Sequence, residues 1–408
     1  MSIADRPLRI AVLGAGYAGL SFCLACQHLG LQSKFKLTLF EQAPDPGALG
    51  AGVLLQPSGQ HVLERFGLLD EVLKSAHPIH RIRARDGNRN YFMDLNVSDG
   101  SNQTYGCHRG SIYQALLEAA RQLSFLRIVT GTKVERVVSD SRLSRLFNAD
   151  HEELGEFDLV VLCDGSKSEL RSQVGLPAYL HQYAIGALWF CAQSHAPQGE
   201  LLQVCDGTQR LIGMLPTVSA HPTHQASLFV ACTPQENDEF RKQPLDRFKS
   251  LVLQHAPEAE ELLSQLQHLD QAIYTRYRHG WLPAWHKGNA IVIGDAAHPM
   301  SPHLGQGINM ALLDGFCLAK SLVKCDDFQS AFARFTQVRQ RQIRIYSWLS
   351  LVLTPFFQSR PDLGQSHARN LGVRAFLAWP WMRRQMQSTI WGRKAEIFPT
   401  NTDFERLT

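Results

Sequence analysis

Leu8-Arg9-Ile10-Ala11-Val12-Leu13-Gly14-Ala15-Gly16-Tyr17-Ala18-Gly19 opens the chain with an apolar run that ends in a Gly-x-Gly-x-x-Gly turn. Leu8 to Leu13 reads as a buried parallel strand, Tyr17 to Leu29 as the helix after it, and Lys36 to Glu41 as a second strand. Together they make a βαβ unit of about 30 residues. Gly14 permits the tight turn, Gly16 lets the backbone approach a pyrophosphate, and Gly19 lets the helix sit close on the sheet. The N–H groups of Tyr17 and Ala18, at the helix start, would meet the anion. Glu41 stands about 20 residues further on, where a carboxylate accepts hydrogen bonds from ribose hydroxyls and disfavours a 2′-phosphate. Its bland alternative is a solubilising charge at a strand end.

The chain has 408 residues, 44% of them hydrophobic and 19% charged, which suits a globular enzyme of two domains plus an extension. A formal net charge of +4, with no Lys/Arg block in the first two-thirds, does not point to nucleic acid. No apolar run reaches the ~20 residues that cross a bilayer, and Met1 to Pro7 lacks the apolar core of a signal peptide. A cytoplasmic protein is expected. Nine cysteines are scattered without a framework. Cys23 and Cys26 form a C-x-x-C, but inside the first helix rather than at its start, so small packing residues are the expected role.

Further along, helix patterns cover Ser58–Phe66 and Ser111–Leu123, with a hairpin signal at Asp86-Gly87-Asn88 between them. Val134–Val138 and Asp158–Cys163 read as strands leading back to the first sheet. From Tyr183 to Tyr277 the texture changes to Ile185–Ala192, Leu211–Leu215 and Ser227–Cys232, a largely antiparallel sheet broken by helical stretches near Leu245–His255 and Glu258–Leu266. Asn289 to Ile293 returns to the first sheet, Gly307–Leu322 reads as a helix, and a long helical pattern runs from Phe328 towards Phe357.

Two more signatures follow the first. Cys163-Asp164-Gly165 closes a strand, with Ser168 and Arg171 behind it. Gly294-Asp295-Ala296-Ala297-His298-Pro299 runs on through Pro302 to Gly305-Gln306-Gly307-Ile308-Asn309. The three in this order resemble the single-component FAD-dependent aromatic hydroxylases of the para-hydroxybenzoate hydroxylase type, over roughly Leu8 to Leu322. The resemblance implies an α/β (overall α+β) fold: a Rossmann-like FAD-binding domain (1–80, 105–178 and 280–345), an inserted antiparallel substrate domain (81–104 and 179–279) and a helical region at 346–408. It also implies cofactor contacts from Glu41 and Gln42, from Gly52 and Val53 in the segment beside the flavin, and from Arg109, Val134, Asp164 and Gly165. Gly294, Asp295 (towards the ribityl hydroxyls), Pro302 and the run Gly305, Gln306, Gly307, Ile308 and Asn309 complete the set. A helix starting at Gly307 would present N–H groups and its positive dipole end to the pyrimidine edge, which is anionic in reduced flavin. No arginine stands in Gly47–Val53, where some members carry one.

The activity implied is hydroxylation of an aromatic or quinoid small molecule with NADH or NADPH and O2, through a flavin C4a-hydroperoxide. No second glycine fingerprint is present, so NAD(P)H would bind transiently on a surface shared with FAD. Tyr183, Trp189, Phe190, Met214 and Phe229 are candidates to roof the cavity, though alternation lets only some of them face it. His303, Pro302, Tyr183 and Arg210 are the candidate catalytic residues. His298 and His303 lie across a proline-containing loop with no carboxylate or cysteine cluster, so no metal is expected. After Tyr346 the Trp/Arg-rich tail (346–395) either packs on the flavin domain, the preferred reading, or rests on a membrane surface. Arg369-Asn370-Leu371-Gly372 also resembles the ends of hydroxylases of ubiquinone precursors. Trp281-Leu282-Pro283-Ala284-Trp285 does not match a flavin halogenase motif; a flavin reductase of isoprenoid double bonds stays open. A monomer or homodimer is expected.

Overall fold

The computed structural model describes residues 6–47, 50–140, 143–195, 197–218, 224–359 and 364–393. Met1 to Asp5 and residues 394–408, including Lys394, lie outside them. Leu8–Leu13 is the middle of a six-stranded sheet, flanked by Leu159–Leu162 on one side and Phe35–Phe40 on the other. Ala290–Val292 extends it beyond Leu159–Leu162, and Leu126–Val129 extends it beyond Phe35–Phe40, all parallel. Ile10, Ala11 and Val12 are wholly buried, as apolar runs in parallel sheets covered on both faces must be. The helix Tyr17–His28 is buried continuously from Tyr17 to Cys26 because a second helix, Gly307–Lys324, lies on its outer side.

Those two helices touch at backbone level. A Cβ on Gly315 would stand 2.5 Å from the Phe22 nitrogen and 2.6 Å from the Ala18 oxygen. Ser21 donates to the Leu312 carbonyl at 2.7 Å, a second point of close contact between the two helices. Cys23 and Cys26 are free, buried and pushed towards the neutral thiol by desolvation, which is the packing role.

The second sheet has seven strands in the order Ile273–Trp281, Tyr179–Gln193, Gln225–Cys232, Arg210–Val218, Glu200–Asp206, Arg81–Asp86, Tyr91–Asn96. Every pairing is antiparallel except Glu200–Asp206 with Arg81–Asp86. One face, with Leu188, Phe190, Met214 and Leu228, packs on the helix Leu245–His255 and the short Glu260–Ser264. Phe190 and Met214 thus belong to a core, not to a cavity roof. Trp189 and Phe229 lie on the opposite face as a pair 5.1 Å apart. A Cβ on Gly213 would stand 2.0 Å from the Phe229 ring, so only glycine lets that ring lie across the strand.

One expectation fails here. The Val134–Val138 stretch does not lead back to the first sheet: its strand, Arg136–Ser139, forms a small antiparallel sheet with Ser144–Phe147 and Glu153–Phe157. Asp140 and Asn148 close its turns by accepting from the Leu143 and Glu152 N–H groups, so pairing with chain neighbours prevails over a return to the first sheet. In the tail, Gln365–Ala378 and Pro380–Ile390 are helices resting on the hairpin strand Tyr91–Asn96, where Leu377 and Ile390 share a core with Ile82 and Leu95. Replacing Gly315 by valine forces the crossing helices apart. It should lower stability by about 1–3 kcal/mol in urea unfolding and weaken FAD retention on gel filtration.

Candidate functional site

The helices that follow the first and third signatures both start without a side-chain cap. At Gly16 and at Gln306, the N-cap positions of Tyr17–His28 and Gly307–Lys324, no side chain accepts a hydrogen bond, which leaves the first N–H groups of each helix open. A Cβ at Gly16, Gly165 or Gly307 would meet nothing within 4 Å, whereas Gly14 and Gly19 are tightly enclosed. Gly14 has φ +111° and its Cβ would stand 2.5 Å from the Cys163 oxygen; that of Gly19 would stand 2.2 Å from the Gly14 oxygen. The loop is thus closed on the sheet side and open on the other. From the crossing at Gly315, the start of the second helix is eight residues away, or about 12 Å at the helical rise.

Glu41 accepts from the Ala15 and Ala43 N–H groups, both at 2.9 Å, and so fixes its carboxylate under the first glycine loop. Gln42 is exposed, and Val134 is buried in the core of the first sheet. Tyr17 donates its hydroxyl to the Arg109 carbonyl at 2.8 Å, and the exposed Arg109 guanidinium lies 5.4 Å from the Tyr17 ring centroid. Burial pushes the Tyr17 phenol up to about 12, so it stays a donor. Gly52 and half-buried Val53 lie on a strand pressed against the second sheet: the Gly52 N–H donates to Ser227 Oγ at 3.0 Å, and the Arg109 N–H to the Ala51 carbonyl at 3.0 Å.

Asp164 follows its strand with one carboxylate oxygen buried and unpartnered. Desolvation raises it to about 6, against the pull of Ser168 and Arg171. Arg171 itself is buried and donates to the Ala296 carbonyl at 2.6 Å, tying the second signature to the third. Asp295 is solvent-accessible yet set deep among protein atoms, and desolvation raises its pKa while His298 and Arg109 draw it down.

Behind Asp295 is a buried charged centre that the motifs did not announce. Asp314 accepts from the Gly294 N–H at 2.9 Å, from His298 Nε2 at 2.6 Å and from Arg339 Nε at 2.7 Å, with every partner buried. His298 and Arg339 hold its carboxyl down at about 2 despite the burial. His298 is therefore structural. Arg339 also bonds Gln342, which donates to the Gly392 carbonyl at 2.8 Å.

Two site residues take other roles than expected. The Asn309 oxygen accepts from the Gln56 N–H, and its amide nitrogen donates to Leu54 O, Gln56 Oε1 and Gly305 O, so the whole side chain clamps the turn to the Gly52–Leu55 strand. Its side-chain donors are taken up within the protein. Gln306 points away from the open side and donates to Thr389 and Ile390 carbonyls in the tail. The backbone of Gly307 and Ile308 carries the open N–H groups instead.

Pro302 is exposed at the head of a short turn that ends at Gly305, φ +64°. His303 is half-buried against Phe357, with Nδ1 3.1 Å from Ser301 Oγ and Nε2 unpartnered. Ser301 Oγ is 2.9 Å from Thr354 Oγ1, and the Tyr183 hydroxyl lies against this pair without closing a bond of ordinary geometry. Tyr183 and His303 are thus brought to one cluster. Arg210 is not: its guanidinium is paired at 3.2 Å with Glu236, which itself caps the helix Pro234–Lys242. Ser350 and Thr354, spaced one turn apart on the long helix, were the missed members; small polar residues at four-residue spacing in an apolar helix were the available signal.

Residues 8–326 match the FAD binding domain family. The chain belongs to that family. It is similar to 6-hydroxynicotinate 3-monooxygenase of Pseudomonas fluorescens, 26% identical with 80% of this chain and 86% of that one covered. It is also similar to kynurenine 3-monooxygenase of Stenotrophomonas maltophilia, 25% identical with 91% and 86% covered. The structure of PqsL from Pseudomonas aeruginosa in complex with 2-aminobenzoylacetate superposes with a TM-score of 0.77 at 20% identity, covering 90% and 99% of the two chains, and shares its fold. The protein is an FAD-dependent monooxygenase of the single-component aromatic hydroxylase group. The open helix starts, the carboxylate under the first loop and the unpartnered Asp164 oxygen fit FAD.

Two outcomes follow from the buried charges. Arg339→Met leaves Asp314 short of a partner and should cost about 3–5 kcal/mol in chemical unfolding. Burial pushes His303 down to about 4 from the ordinary 6.5 of a histidine. The unfolded chain then binds more protons between those values, so stability falls as pH drops from about 6.5 towards 4. His303→Gln should show a shallower fall than wild type when unfolding is compared at pH 7 and pH 5.

Proposed function

We propose that the chain hydroxylates an electron-rich, uncharged aromatic or quinoid ring, using NADH or NADPH and O2. The observation that carries the substrate class is the uncharged character of the cluster beside the Pro302 turn. His303 is held neutral, Tyr183 is held as the phenol by desolvation, and Ser301, Thr354 and Phe357 complete it. A carboxylate bound there would find hydroxyl and imidazole donors but no cation among these groups, and would lose its hydration with weak compensation.

FAD, when bound, supplies the redox and oxygen chemistry. The N–H groups from Tyr17 to Gly19 would hold the pyrophosphate and Glu41 the adenosine ribose. Asp295 would take the ribityl hydroxyls, and the Gly307 and Ile308 N–H groups the pyrimidine edge. Asp164 and Gly165 border the same open side, which suits transient contact with a nicotinamide nucleotide. Trp189 and Phe229 would cover the ring, and Tyr183 and His303 would orient its polar substituent and exclude water. In this reading the FAD-binding domain is 1–80, 105–178 and 280–345, and the substrate domain is 81–104 and 179–279.

The test is stopped-flow reduction of the yellow protein by NADH and NADPH with phenols, quinolones and anthranilates. Neutral phenols or quinolones should accelerate reduction and yield an O2-dependent hydroxylated product. Stimulation confined to anthranilates overturns the uncharged-ring assignment, and reduction with no O2-dependent product from any ring overturns hydroxylation. Asp295→Ala should weaken FAD binding by roughly 10- to 100-fold, the worth of hydrogen bonds to a charged group, in fluorescence titration.

A further inference from the structure

The helix Phe328–Phe357 has two faces with different business. Its buried face carries Phe335, Arg339, Tyr346, Ser350 and Thr354, the last two beside Ser301. Its exposed face is the stripe Arg334, Gln337, Arg341, Arg344, Trp348, Leu351, Val352 and Pro355, whose spacing of three and four keeps it on one side. The stripe changes character halfway. Three arginines occupy its first half, and Trp348 (61% exposed), Leu351 (43%) and Val352 (39%) occupy its second. Along the next two helices Leu371 (74%), Trp379 (68%) and Trp381 (48%) are also exposed, as are Arg374, Arg383 and Arg384.

Charge tells what can cover such a surface. Residues 328–393 contain ten arginines and one aspartate in a chain of net charge +4; Arg339 and Arg369 are buried, while Arg334, Arg341, Arg344, Arg374, Arg383 and Arg384 are exposed. A second copy docked through a two-fold axis would set this basic surface against itself. An anionic bilayer meets both halves of the stripe: arginines at the phosphates, and tryptophan and aliphatic side chains in the acyl boundary. From Arg341 to Pro355 the helix rises about 21 Å, long enough to separate a headgroup contact from an inserted end.

We propose that the outer face of Phe328–Phe357, around Trp348 to Pro355, docks on the surface of an anionic phospholipid bilayer. The docked turn is the same turn whose inner side carries Ser350 and Thr354, so the bilayer would lie one helix thickness from the polar cluster at Ser301. No helix among the described residues is long and apolar enough to cross a membrane, so the contact is peripheral. The proposal stands apart from the substrate assignment, because docking needs no turnover.

The experiment is co-sedimentation of the FAD-loaded protein with phosphatidylcholine vesicles, with and without about a quarter phosphatidylglycerol. Binding is expected to the anionic vesicles only, to fall steeply at high salt, and to weaken about tenfold or more in Trp348→Gln/Leu351→Gln. Unchanged FAD content and melting would show that this double variant is folded. Arg341→Gln/Arg344→Gln should weaken binding to a similar degree and flatten its salt dependence. Absence of binding at low salt overturns the proposal, as does binding that the apolar double variant leaves intact. So does a dimer in sedimentation velocity that the same variant dissociates, since that would make the face an interface between copies.

Discussion

One buried carboxylate holds the site together. Asp314 sits at the centre of the Gly307–Lys324 helix and accepts from the Gly294 backbone, His298 and Arg339 at once. Through Gly294 it sets the turn that presents Asp295, and through Arg339 and Gln342 it reaches Gly392 in the tail. A carboxylate without water is tolerable only with every lone pair directed at a donor, so removing any partner leaves a charge that nothing else can answer. The third signature, the long helix and the tail are therefore one unit.

In the proposed reading the same helix offers its open start to the cofactor, while its middle belongs to the core. Gly315 and Ser21 bring it against Tyr17–His28 so closely that the two helix starts have little freedom relative to each other. Open N–H groups at both starts offer partial positive charge at two points along an extended anion, without a lysine or arginine that would need its own counter-charge. Asn309 and Gln306 serve this geometry indirectly. One clamps the turn to the strand beside it, and the other ties the turn to the tail.

The fold was legible where a local rule forces the backbone. Leu8 to Gly19 could be read because a tight turn after a buried strand needs glycine at Gly14, and the close packing behind it needs Gly19. The second sheet was legible from its alternation, and the long helix from its period. The partition of the sheet's faces was not, because Trp189 and Phe190 are adjacent and only the third dimension says which one meets the helices. The site was legible as motifs but not as roles. Asn309 and Gln306 stand where backbone N–H groups matter, and sequence does not say whether the side chain or the main chain faces the open side. Asp314, Arg339, Ser350 and Thr354 escaped notice because they lie on helices that read as packing, and their partners are distant in the chain. The place of Val134–Val138 was not legible, because the turns at Asp140 and Asn148 fold it onto its own chain neighbours.

The central claim is that the start of Gly307–Lys324 faces the edge of the flavin where negative charge gathers on reduction. The measurement closest to it is an anaerobic redox titration of the bound FAD against free FAD in the same buffer. A more positive potential for the bound flavin is predicted, because the open N–H groups and the helix dipole favour the reduced anion over the oxidised ring. A potential equal to that of free FAD, or more negative, would contradict the account.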